Sequence, residues 1–197
     1  MSRPRRVRQR SRASRSRRAR LASALLVVSA GLALSLLSFW FWYGAGEPSF
    51  ADAGSDYNPA DVVRDQGLYG THVMGASQTP VPFVPTSGPQ PKLTIPHEKW
   101  SFGTVGPTDV VDHTFVLRND GEAPLTIRRI YTTCGCTTAE LSAKVIPPGK
   151  VALLRLIFDA GYHDTRGQYV RRGVVIENND PTRRKVTVWA DAIVRTH

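Results

Sequence analysis

Short apolar stretches, most of them alternating hydrophobic and polar positions, fill the chain from Pro91 to its end. Val110 to Arg118 is the clearest. Val111, His113, Phe115 and Leu117 fall on one face, and Asp112, Thr114 and Val116 on the other. That period of two predicts a half-buried strand. Val151 to Phe158 groups Ala152, Leu154, Leu156 and Phe158 in the same way, and Lys185 to Arg195 groups Val186, Val188, Ala190, Ala192 and Val194. Tyr169 to Asn178 is a strand of similar kind. Two shorter pieces come earlier: Lys92 to Ile95, stopped by Pro96, and an extended piece with Trp100, Phe102 and Val105 around Gly103. In Leu125 to Tyr131, Ile130 is out of phase with Leu125 and Ile127, which predicts a bulge.

Turn residues separate these stretches. Asn119-Asp120-Gly121 reads as a hairpin turn that makes 125–131 the partner of 110–118. Pro147-Pro148-Gly149 and Asn178-Asn179-Asp180-Pro181 are further turns, because Asn and Asp accept unusual dihedrals and proline pre-sets one. Seven short strands with no convincing helix predict an all-β fold over 92–197, an immunoglobulin-like antiparallel β-sandwich. The Cys…Trp…Cys arrangement of antibody domains is absent, so apolar packing must hold the sheets together. About 100 residues bury enough core for that.

A different pattern precedes the domain. Leu21 to Tyr43 carries no charge over 23 residues. As a helix it would be roughly 34 Å long, enough to cross a hydrocarbon core of about 30 Å. It ends in Phe39, Trp40, Phe41, Trp42 and Tyr43, an aromatic belt of the kind found at a membrane interface. Ala51-Asp52-Ala53 has the form of a signal cleavage site, and Ser16-Arg17-Arg18 resembles a twin-arginine signal. The apolar core exceeds the roughly 7–15 residues of a signal peptide, so a retained single-pass anchor is expected.

Charge then sets orientation. The chain has a formal net charge of +10, and residues 1–20 hold ten arginines and no acid, which leaves the remainder neutral. A basic protein invites a nucleic-acid reading. Here the basic block abuts the apolar span, and positive-inside topology accounts for it. The expected organisation is an arginine-rich cytoplasmic tail (1–20), a transmembrane helix (21–43), a Pro/Gly-rich linker (44–91) and an extracytoplasmic sandwich (92–197). Eight of the 14 prolines lie between Pro48 and Pro96, which makes 79–91 an extended spacer. Residues 60–74 either form a short helix or lie on the domain. His72 and Met74 are metal-ligating types, but an isolated pair in a linker is usually incidental.

Cys134 and Cys136 are the only cysteines. In an extended backbone they would point to the same side with Cα atoms about 6.5–7 Å apart, at the edge of disulfide geometry. Gly135 is able to adopt a positive φ and pinch them together. Three readings stand. They form a small disulfide in an oxidising compartment, redox-active or not. They supply thiolates to a soft metal such as Cu(I), with a histidine or methionine nearby. Or they are small buried hydrophobes flanked by Thr132, Thr133, Thr137 and Thr138. Two cysteines alone do not close a tetrahedral zinc site. His113 is in phase with the core and reads as a partly buried structural histidine. His163 sits in the Gly161–Gly167 loop, and nothing in the sequence places it near the cysteines.

The succession Phe102-Gly103-Thr104-Val105, His113-Thr114-Phe115, Asn119-Asp120-Gly121-Glu122-Ala123-Pro124-Leu125, Thr133-Cys134-Gly135-Cys136-Thr137, Ile146-Pro147-Pro148-Gly149, Phe158-Asp159 and Asn179-Asp180-Pro181 resembles the bacterial family catalogued as domain of unknown function number 1573. Order and spacing agree over about 92–195. Trp100-Ser101 stands where relatives tend to carry a Phe-Asp-like pair. The resemblance implies an extracytoplasmic, often membrane-tethered β-sandwich, akin to ASH, major-sperm-protein and PapD-type modules. It brings no established catalytic activity, and it marks the Cys-Gly-Cys stretch as the family's signature.

Enzyme motifs are absent: no Gly-x-Ser-x-Gly elbow, phosphate loop or His-Glu-x-x-His occurs. Arg128-Arg129, Arg171-Arg172 and Arg183-Arg184-Lys185 read as solvated outward faces or edge protection. The expected function is therefore binding. The chain would be a scaffold module at the plasma membrane, held in lipid by 21–43, with an envelope protein as partner. The alternative is copper binding or thiol redox chemistry through Cys134 and Cys136.

Overall fold

The structure, a computed structural model, describes residues 57–73 and 87–197. The expected arginine-rich tail (1–20), the apolar span (21–43), Ala51–Ala53, Met74 and most of the proline-rich spacer lie outside the described residues. Among the described residues no helix is long and apolar enough to cross a membrane.

Among the described residues, ten strands form two sheets. In chain order they are β1 (Leu68–Gly70), β2 (Leu93–Thr94), β3 (Lys99–Val105), β4 (Val110–Asn119), β5 (Leu125–Thr132), β6 (Thr137–Leu141), β7 (Val145–Ile146), β8 (Val151–Asp159), β9 (Tyr169–Asn178) and β10 (Lys185–Val194). One sheet runs β1-β6-β8-β4-β2 and the other β3-β10-β9-β5-β7. The seven expected strands are present. β1, β6 and β7 are additions.

The alternating residues form the core. Phe115 and Leu117 of β4, Ala152, Leu154, Leu156 and Phe158 of β8, and Val186, Val188, Ala190, Ala192 and Val194 of β10 are all buried in one cluster between the sheets. The bulge expected near Ile130 is present. The β5–β9 register shifts between Ile127 and Arg129, and this returns Ile130 to the core. A second shift, between Asp191 and Ile193 of β10, faces Gly103 of β3, whose φ is +67°. A side chain rarely adopts that φ, so glycine serves the bulge.

Three expectations need correction. First, the sandwich is not wholly antiparallel: β3 pairs with β10 in parallel. Parallel neighbours need a long connection, and here nearly the whole domain lies between them. Second, Asn119-Asp120-Gly121 does not close a hairpin, since β4 and β5 lie in different sheets. Asn119 is fully buried and acts at long range. Its Nδ2 donates to the carbonyls of Ala123 (2.8 Å) and Ile146 (2.9 Å), and its Oδ1 accepts from the amides of Lys92 (3.2 Å) and Gly121 (3.0 Å). A Cβ on Gly121 would stand 2.3 Å from the Gln90 carbonyl oxygen. The turn is thus a crossover pinned against the segment entering β2.

Third, residues 57–73 are not spacer. A 3-10 turn, Pro59–Asp61, leads to Val62, which pairs with Val151; β1 then pairs with β6, and His72 pairs with Thr132 of β5. This strap runs along the β6 edge of one sheet and ends on the other. Of the two alternatives for 60–74, the described part, 60–73, lies on the domain. Tyr57 and Val62 also cover a small apolar cluster of Val116, Val151 and Leu153 on the outer face of the first sheet, which explains why the alternate face of β4 is not simply polar.

Candidate functional site

The Cys-Gly-Cys stretch is the corner where the chain crosses from one sheet to the other, between β5 and β6. Each side of the corner is tied down. The Thr133 amide donates to the Gly173 carbonyl (3.0 Å), and the Gly173 amide donates to Thr133 Oγ1 (2.9 Å). Thr132 Oγ1 donates to the Cys134 carbonyl (2.9 Å), and the Asp159 amide donates to the Cys136 carbonyl (3.0 Å).

Within this corner Cys134 and Cys136 form a disulfide, with Cα atoms 5.4 Å apart. The bend draws them closer than an extended strand would. Gly135 achieves this without a positive φ, contrary to expectation. Its requirement is space. A Cβ there would meet the Tyr162 ring at 3.1–3.3 Å. Tyr162 is 58% exposed, and its ring meets His163 edge-on at 4.7 Å. Cys136 is buried, whereas Cys134 is half-buried. Thr137 Oγ1 lies 3.3 Å from Cys134 Sγ and 3.8 Å from Cys136 Sγ, so one hydroxyl serves both sulfurs.

The bridge does little for global stability. By loop entropy a ring of three residues contributes on the order of 1.5 kcal/mol, about half the value for a 15-residue loop. The backbone bonds around it already hold the corner.

Of the three readings of Cys134 and Cys136, the structure shows the disulfide. Joined sulfurs present no thiolate pair to a soft metal; the reduced pair would. Among the described residues no group of three or more His, Cys, Asp or Glu is placed to hold a metal ion. His72 is nevertheless less incidental than its linker position implied. Its Nδ1 lies 3.2 Å from the Thr132 carbonyl, two residues from Cys134. Met74 lies outside the described residues. His113 stacks on Trp100 at 3.9 Å and meets Phe115 edge-on at 4.8 Å. It belongs to β4, two strands from β6, and is structural as expected.

Arg172 is the functional candidate that the sequence reading missed. It was grouped with Arg171 as outward surface. Arg171 does pair with Asp191 on the exposed face (2.8 Å), as Arg129 pairs with Glu177 (3.0 Å). Arg172 takes the inward phase of Val170, Val174 and Ile176, which are all buried. Its guanidinium carbon lies 5.8 Å from the centroid of the core Phe158 ring. One guanidinium nitrogen donates to the Arg171 carbonyl (3.1 Å), while Nε is buried without a hydrogen-bond partner. Desolvation holds its pKa below the ordinary arginine value. Among the described residues it has no carboxylate ion-pair partner. Thr133 and Gly173 exchange hydrogen bonds, so the next positions on those two strands are Cys134 and Arg172. The alternation Val170-x-Arg172-x-Val174 was the available signal.

A groove of about 470 Å³ is lined by Gln90, Lys92, Gly121, Glu122, Asp180 and Pro181 among others. Asp180 offers it no reactive carboxylate. Its oxygens accept from the amides of Leu93 (2.8 Å), Thr182 (2.8 Å) and Arg183 (3.1 Å) and from the Thr182 hydroxyl (2.8 Å). The groove is therefore a seam between structural turns.

A two-sheet all-β sandwich whose sheets are joined by a disulfide-closed Cys-Gly-Cys corner is the class that fold and site define. The chain belongs to the family described as Protein of unknown function (DUF1573), whose model matches residues 93–192. Comparison with curated proteins finds no match. Among solved structures, the chain is similar to a protein of unknown function from Porphyromonas gingivalis W83, with 22% identity and a TM-score of 0.47 over 53% of this chain and 46% of that one. It is similar to an ASH/PapD-like domain of human CEP192, with 14% identity and a TM-score of 0.37 over 64% of this chain and 97% of that one. It is also similar to the E. coli chaperone DraB, with 12% identity and a TM-score of 0.36 over 53% and 55%. The chain thus spans less than half of the Porphyromonas protein.

Proposed function

We propose that this protein is a non-enzymatic binding module of the cell envelope, anchored by residues 21–43 with its arginine-rich end in the cytoplasm and its sandwich outside. The observation that carries the binding reading is β3. It is a seven-residue edge strand, paired on one side by β10 and on the other by nothing among the described residues. The three other sheet edges are β1, β2 and β7, of three, two and two residues. Lys99, Trp100, Ser101 and Thr104 of β3 are exposed. A strand edge of this kind recognises an extended segment of a partner protein by backbone pairing, with side-chain contacts adding selectivity. The anchor and orientation rest on the apolar span and the charge asymmetry around it.

A photo-crosslinking residue placed singly at Lys99, Ser101 and Thr104, in cells, tests this. The reading expects these positions to capture one and the same envelope protein, and Ser101→Pro, which removes a backbone donor, to lower the yield from Thr104 severalfold. Yields no higher than from Glu140, on the opposite side of the domain, would overturn it.

A further inference from the structure

We propose that Cys134 and Cys136 form a redox couple that exchanges with a protein dithiol, and that Arg172 is the counter-charge for the thiolate released in the exchange. This goes beyond the binding reading and uses a different part of the molecule: β5, which leads into the cysteine corner, lies three strands from β3 in their sheet.

Four observations converge. One sulfur of the bridge is half-buried and the other buried, so an incoming thiolate has one accessible target, Cys134. The Thr137 hydroxyl stands within reach of both sulfurs and is able to donate to whichever becomes the anion. Arg172 takes the inward strand phase, half-buried, with a buried Nε lacking any hydrogen-bond partner, at the strand position next to the one paired with Thr133. A partly desolvated cation without a carboxylate is a cost to the fold, and a thiolate formed at the adjoining corner offsets part of it. The bridge spans three residues that backbone hydrogen bonds already hold, so opening it leaves the corner in place.

The exchange balances as follows. A partner thiolate attacks Cys134 Sγ. The Cys134–Cys136 bond breaks, a mixed disulfide forms at Cys134, and Cys136 leaves as a thiolate. The partner's second thiolate then attacks its own sulfur in the mixed disulfide and expels Cys134. The partner dithiol has lost two electrons and two protons, and Cys134 and Cys136 have gained them. A positive charge that stabilises the leaving thiolate accelerates the first step and favours the reduced form. The other charged or titratable groups around the corner are His72 on the strap, Asp159 at the end of β8, and Tyr162 and His163 in the following loop. The Asp159 Oδ1 is engaged by the Gly161 amide at 2.8 Å, and the His72 ring by the Thr132 carbonyl.

The test uses the full chain in detergent, with folding monitored by tryptophan fluorescence. Two quantities are read at neutral pH by alkylation and mass: the rate of reduction by dithiothreitol, and the fraction reduced at equilibrium in glutathione buffers. The expectation is that dithiothreitol reduces the folded chain. Arg172→Gln should slow this severalfold and shift the equilibrium toward the disulfide, since a higher pKa makes the released thiol a poorer leaving group and less ionised. Arg172→Lys, which keeps the charge, should stay near wild type. Equal rates and equilibria in all three chains, or reduction only on unfolding, would overturn the proposal. If Arg172→Gln fails to fold, Thr137→Val carries the test: slower exchange supports the proposal and an unchanged rate overturns it.

Discussion

Asp180 is fully buried and still favours its ionised form. Burial is the largest influence and opposes ionisation. Hydrogen bonds from Leu93, Thr182 and Arg183 together outweigh it and hold the pKa below the ordinary carboxylate range. Because the folded-state pKa is depressed, the stabilisation is complete above the unfolded value and is lost as pH falls through the folded one. Asp180→Asn should destabilise the domain by on the order of 2–3 kcal/mol at neutral pH, the worth of charged hydrogen bonds. The gap between variant and wild type should begin to narrow below about pH 4 and close once the pH falls below the depressed folded-state pKa. Urea denaturation at a series of pH values measures both, and a gap that persists in acid would contradict the assignment. At this scale the sequence was partly legible. Asn-Asp-Pro announced a turn, and the turn forms. That Asp180 reaches Leu93 across 87 positions was invisible, because nothing local encodes it. Asn119 misled for a similar reason: besides Gly121 and Ala123, its side chain reaches Lys92 and Ile146, 27 positions away in each direction. Arg172 was misread because two adjacent arginines look like surface, although strand phase turns one of them inward.

The long strands were the most legible elements. β4, β8 and β10 alternate cleanly because their inner faces share one core. The missed strands are short or have weak apolar patterns. β6 reads Thr-Thr-Ala-Glu-Leu and β7 has two residues, so their pairing comes from neighbours and not from propensity. β1 is bracketed by glycines that lie against backbone. A Cβ at Gly67 would stand 2.6 Å from the Leu141 carbonyl oxygen, and one at Gly70 would stand 3.0 Å from that of Ile130. The strap is fastened by few side chains, so it should open before the rest of the sandwich. Val62→Asp places a charge in the small cluster with Val116, Val151 and Leu153. It should speed hydrogen exchange of the Thr137–Leu141 amides while leaving those of Leu154 and Leu156 protected. Equal acceleration throughout would show that strap and sandwich open as one unit.

At the scale of the molecule, a domain of known family follows an uncharged apolar span and an arginine-rich end, on which the proposed anchor and orientation rest. The two features with chemical or recognition potential lie apart on the sandwich, the β3 edge and the cysteine corner. A partner held at one is not forced onto the other. The proposed extracytoplasmic location suits the disulfide, which persists in an oxidising compartment. The decisive measurement is alkylation of intact cells with a membrane-impermeant maleimide, with and without prior treatment by an impermeant reductant, followed by the mass of the full chain. Expected are two labels after the reductant, fewer without it, and a chain that retains residues 1–43. Full labelling of both cysteines without reductant, labelling only after the membrane is opened, or a mass lacking the apolar span would contradict this.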